Sequence, residues 1–85
     1  MATLLTTDEK VRIILDTYKR MGRKAGDTLS AGNFISAAIN NRISNQDIVD
    51  GLRAGYDRGL FEDGPRGSVL LTEAGYAAFL SISGT

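Results

Sequence analysis

The 85 residues suffice for one domain with a single compact core, burying roughly 60% of the surface that the unfolded chain exposes. With 42% hydrophobic and 24% charged residues, the chain is of ordinary globular composition. It has no cysteine and no histidine, which removes disulfides, thiolate metal sites and the commonest general bases and nucleophiles. The expectation is a non-enzymatic protein with no cofactor. Ten basic and ten acidic residues cancel, but unevenly: residues 1–42 hold seven bases against four acids, net +3, and the remainder is −3. No apolar run approaches the roughly 18 residues of a membrane span. Met1 to Thr7 lacks the basic start and long apolar stretch of a secretory signal, so a cytoplasmic protein with no membrane partner is expected.

In chain order, Thr6-Thr7-Asp8-Glu9 is a helix start: Thr6 and Glu9 are in capping-box register, and acids occupy the first turn, where the macrodipole favours them. Val11, Ile14, Leu15, Tyr18 and Met21 then repeat at amphipathic helical spacing up to Gly22. A polar loop over residues 23–28 follows, and Thr28-Leu29 has room for one rung of a strand. Ser30 caps a second helix to about Ile39, expected to bury Phe34, Ile35, Ala38 and Ile39. Asn40-Asn41-Arg42 makes a tight turn, and Ile43 with Ile48 staples the start of a third helix over Asn45 to Arg58, capped by Ser44 with Asp47 three residues on. Gly59 supplies its left-handed end, with Leu60 packing back.

The third helix is the organising element. Ile48, Leu52, Gly55 and Tyr56, with Val49 at the edge, define its buried face, and Gln46, Asp50, Arg53 and Asp57 fall opposite. Gly51, Gly55 and Gly59 recur every four residues; the two interior ones each cost roughly 0.5–1 kcal/mol relative to Ala. That cost is offset either by close packing on the first or second helix or by a smooth face for a second subunit. Beyond it, residues 60–62 and 68–71 read as two short strands around the turn Asp63-Gly64-Pro65-Arg66-Gly67. Thr72 then caps a last helix burying Tyr76, Phe79 and Leu80, and residues 1–5 and 82–85 are expected to fray.

This order gives an α+β, mainly α, single domain over residues 1–85. It resembles the winged helix-turn-helix superfamily across nearly the whole chain: a three-helix core, a short hairpin wing and a C-terminal helix. Asp63-Gly64-Pro65-Arg66 followed by Leu71-Thr72-Glu73-Ala74-Gly75 is similar to the wing and exit of multiple-antibiotic-resistance-type (MarR-like) regulators. The sequence departs from them in lacking the long terminal helices that build their dimer and frame their effector pocket.

The resemblance implies a small DNA-binding transcriptional regulator whose third helix enters the major groove. Asn45 and Gln46 have the amide chemistry to bond an adenine edge, and Arg53 to bond guanine. Arg42, Ser44 and Arg66 are the candidates for phosphate. Against this stand Asp50 and Asp57, which share the face of Arg53, can pair with it, and repel phosphate. Arg66 has a purely structural alternative, an ion pair with Asp63 across the turn. Lys19, Arg20, Arg23 and Lys24 form the one basic cluster, at a helix C-terminus where the dipole favours cations whatever the function. A protein-interaction module using Asp50, Arg53 and Asp57 is therefore the alternative. A homodimer through the first and last helices is expected, because one such domain offers few phosphate contacts.

Overall fold

The computed structural model describes residues 4–83. Helix α1 (Thr7–Arg20) leads into strand β1 (Thr28–Leu29), helices α2 (Ala31–Asn41) and α3 (Asn45–Asp57), and strand β2 (Phe61–Asp63). A 3-10 turn (Pro65–Gly67), strand β3 (Val69–Leu71) and helix α4 (Glu73–Ser83) complete the chain. The fold is mainly helical, with one small antiparallel sheet. Residues 1–3 and 84–85, part of the segments expected to fray, lie outside the described residues, and α4 runs on to Ser83.

Local chemistry sets the helix starts. Thr6 Oγ1 accepts from the Glu9 amide at 3.1 Å while the Thr6 amide donates to the Glu9 carboxylate at 2.9 Å. The same reciprocal pair forms at Ser44 and Asp47, at 3.0 and 3.2 Å, although Asp is shorter than the Glu such a box prefers. Each box satisfies two backbone donors that would otherwise have no partner. At the far end of α3, Gly59 takes φ +73° and the Leu60 amide bonds back to the Gly55 carbonyl at 2.8 Å. This left-handed end turns the chain from α3 into β2.

The sheet order is β1-β3-β2, so the two residues of β1 pair with β3, Thr28 opposite Leu70 and Leu29 opposite Val69. β2 and β3 form the hairpin, with Phe61 opposite Leu71. The sheet closes one side of a core centred on Tyr18, whose ring stacks on Phe61 at 5.8 Å and tilts against Phe34 at 6.2 Å. Tyr18 is fully buried, and its hydroxyl donates to the Val69 carbonyl at 2.6 Å, so its one polar atom is satisfied and ties α1 to the sheet. Burial pushes that phenol far above its ordinary range.

Helix α3 packs closely on its neighbours because it has no side chain at two buried positions. A Cβ at Gly51 would meet Ile14 Cδ1 at 2.7 Å and the Lys10 carbonyl oxygen at 2.8 Å, and one at Gly55 would run into the Phe61 ring. The glycine cost in α3 is thus offset by packing, on α1 for Gly51 and on β2, rather than a helix, for Gly55.

Four expected core positions are on the surface instead, among them Met21, which falls just past the end of α1 and is 44% exposed. Ile35 is 51% exposed, Ile39 71% and Leu80 47%. Helix α2 meets α1 and α3 through Phe34, Ala37 and Ala38, and Ile35 and Ile39 lie roughly 100–140° further round the helix, on its outer shoulder. Small Ala residues let α2 approach tightly, which narrows the buried stripe to less than the sequence periodicity implies.

Candidate nucleic-acid interface

The outward face of α3 is bounded by what its other faces touch. Gly51 is against α1, Gly55 against Phe61, and Ile48 in the core. Gln46, Val49, Arg53 and Asp57 therefore face away from the protein, all exposed, with Asn45 at the exposed first turn. Among the described residues the Arg53 side chain forms no ion pair or hydrogen bond at contact distance, although its charge is near enough to attract Asp50.

The carboxylate beside Arg53 is held elsewhere. Asp50 Oδ2 accepts from Lys10 Nζ at 3.1 Å and its Oδ1 from Gln46 Nε2 at 2.9 Å. The Gln46 amide, first, and then Lys10 hold the Asp50 carboxyl below its usual range. Asp47 also lies 3.5 Å from Lys10 Nζ, and its own carboxyl is lowered chiefly by the Ser44 backbone amide. The sequence allows Asp50 to pair with Arg53; the contact is made by a lysine 40 residues away on α1, and Arg53 adds only a weaker attraction. One of the two acids on this face is therefore charge-compensated from within the fold, and Gln46 is held in place by the same contact.

Ser44 is committed to its cap, so what the start of α3 offers to an anion is mainly backbone. Arg42 lies in the α2–α3 turn just ahead of that helix start, and Arg66 in the hairpin turn next to Gly67, which lines a recess together with Asn45. Both are exposed, and among the described residues neither has an ion pair or side-chain hydrogen bond. The Asp63 that was an expected partner for Arg66 accepts from the Tyr56 hydroxyl instead, at 3.0 Å, bracing the hairpin against α3.

The two arginines share a backbone peculiarity. Arg42 has φ 56° and Arg66 φ 57°, the only non-glycine residues at positive φ among the described residues; the others there are Gly22, Gly26, Gly59 and Gly67. Arg42 is the left-handed cap of α2, where glycine or asparagine is usual, and the Ile43 amide bonds back to the Ala38 carbonyl at 3.0 Å. An L-residue in this region costs about 1–2 kcal/mol. Residue type hides this conformation, because Asn41 and Gly67 are adjacent and better suited to it.

Between α2, α3 and the hairpin turn lies an apolar recess of about 240 Å³, lined in part by Ile35, Asn45, Val49, Leu52 and Gly67. Val49, 43% exposed, stands where this recess meets the outward face of α3. Sequence periodicity assigned Val49 to an edge of the buried face and so missed it as a surface group. The basic cluster near the end of α1 is separate: Lys19, Arg20 and Lys24 are exposed there, with the Lys24 amide bonded to Asp27.

Among the described residues, no three acidic side chains converge as a metal-binding group, and no helix is long and apolar enough to cross a membrane. Set beside family models, curated proteins and solved structures, the chain matches none of them.

Proposed function

We propose that this chain is a winged helix-turn-helix domain that binds double-stranded DNA as a small transcriptional regulator, with α3 as the recognition helix. The element order, the strand order β1-β3-β2 and the hairpin beside the start of α3 support the winged-helix reading. The observation that carries the DNA reading is the charge arrangement around α3. Asp50 is compensated by Lys10 and Gln46, while among the described residues Arg42, Arg53 and Arg66 make no side-chain hydrogen bond or ion pair. A neutral chain thereby offers an unpaired cationic rim to phosphate. Asn45, Gln46 and Arg53 take the base edges; Arg42, Arg66 and the free amides at the start of α3, with only the hydroxyl proton of the cap residue Ser44 left to donate, take the backbone.

Fluorescence anisotropy against mixed-sequence duplex tests this, comparing the wild type with Arg53→Ala and Arg66→Ala. Weaker binding by both variants is expected, and equal binding by all three would remove the proposal. The alternative, a protein-interaction module acting through Asp50, Arg53 and Asp57, draws support from the exposed Ile35 and Ile39 and from the acidic second half of the chain. It loses support from Asp50, whose carboxylate is occupied.

A further inference from the structure

The proposed reading of DNA leaves one group on α3 unexplained. Val49 is apolar, 43% exposed, and sits between Gln46 and Arg53 on the face the helix turns outward. A solvated helix face favours a polar residue at such a position, and a β-branched one lowers helix propensity slightly. The rise along α3 is about 4.5 Å from Gln46 to Val49 and about 6 Å from Val49 to Arg53. These steps are of the order of the 3.4 Å spacing between bases on one strand.

Resting on the DNA reading above, we propose that Val49 is a specificity residue that receives the 5-methyl group of a thymine at the mouth of the recess lined by Ile35, Leu52 and Gly67. Thymine is the one base that presents an apolar group in the major groove, and valine has no hydrogen-bonding atom with which to read any other. The flanking groups fit the same occupant. Gln46 is held by its contact to Asp50 and, among the described residues, keeps its amide oxygen free, while the Arg53 guanidinium makes no direct contact with a carboxylate, so a polar donor-acceptor group and a cation frame an apolar spot. That order of chemistry suits base edges carrying a methyl between hydrogen-bonding atoms. The recess supplies apolar wall on the far side, so a methyl placed at its mouth leaves water on more than one side.

The test begins with selection of preferred duplexes from a random library by the full chain, followed by replacement of each selected thymine with uracil, which removes the methyl and leaves every hydrogen-bonding atom in place. At one thymine the wild type should lose about fourfold in affinity, the effect of one buried methyl group. Val49→Ala should bind the thymine duplex more weakly and lose its sensitivity to uracil at that position. Val49→Thr, nearly the same shape, should retain part of that sensitivity, and circular dichroism of each variant establishes that it is folded. Selected sites without thymine, uracil duplexes bound as tightly as thymine ones, or a uracil penalty that persists in folded Val49→Ala would each overturn the inference while leaving DNA binding intact. Absence of binding to any duplex at low salt would overturn the functional proposal, and this inference with it.

Discussion

Replacing either left-handed arginine by glycine should separate stability from binding. At φ 56° and 57°, Arg42 and Arg66 each cost about 1–2 kcal/mol relative to a residue that tolerates this region. Glycine relieves that cost but loses roughly 0.5–1 kcal/mol through the freedom it gains in the unfolded chain. The balance favours glycine by about 0.5 kcal/mol per site. For a domain of this size that is a rise in Tm of about 2–4 °C, and the two sites should add because they lie in different turns. Among the described residues neither side chain has a hydrogen bond or ion pair to lose. Thermal unfolding followed by circular dichroism gives the first quantity, and duplex titration over a range of salt gives the second. If each arginine holds one phosphate, each substitution should weaken binding and lower the slope of log K against log salt by about 0.9. Arg42→Lys and Arg66→Lys keep both the charge and the backbone strain, and should change neither Tm nor slope appreciably. Glycine variants less stable than the wild type would show that the side chains serve the fold. Stabilised variants with an unchanged salt slope would refute the claim that the arginines are kept for phosphate.

Other perturbations follow from the same contacts. Asp50→Asn should strengthen duplex binding by removing a negative charge beside Arg53, and Asp57→Asn should do so more clearly because among the described residues no cation pairs with Asp57; a gain from neither would count against the outward face of α3 meeting phosphate. Gly51→Ala should destabilise by about 1–3 kcal/mol in urea unfolding despite its better helix propensity, since the added Cβ meets the backbone oxygen of Lys10, which cannot rotate away. Lys10→Met should lower stability at neutral pH, and the difference from the wild type should shrink as pH falls below the ordinary carboxylate range. The folded-state carboxyls of Asp47 and Asp50 are depressed, so their contribution is present above the unfolded value and lost as pH falls through the folded one. The raised ammonium pKa of Lys10, caused first by its bond to Asp50, keeps the network intact up to the alkaline limit. Sedimentation at high concentration should reveal a dimer joined through the exposed surfaces of α1 and α4, disrupted by Leu80→Glu; a monomer would remove this expectation.

Much of the fold was legible because it is written locally. Both capping boxes, the left-handed end at Gly59 and the hairpin turn depend on residues within four positions of one another, and each falls where the spacing placed it. What the sequence left open depends on distant partners. The pairing of β1 with β3, the seat of Gly55 on Phe61 and the choice of Lys10 by Asp50 join segments far apart in the chain. The exposure of Ile35 and Ile39 belongs to the same class: periodicity fixes the direction of an apolar stripe, but the packing partners decide how wide a stripe is covered. At the candidate site, Asn45, Gln46, Arg53 and Arg66 were identifiable by residue type and position. The compensation of Asp50, the left-handed backbone of two arginines and the exposure of Val49 were not.

Phosphate contact by this chain is read from the anisotropy of a labelled mixed-sequence duplex titrated with the intact protein from low to physiological salt. With Arg42 and Arg66 each neutralising a phosphate, log K should fall against log salt with a slope of roughly −2 per chain, doubled if two chains bind together. Binding that is absent at low salt, or that is indifferent to salt, would contradict the account and transfer the outward face of α3 to a protein partner.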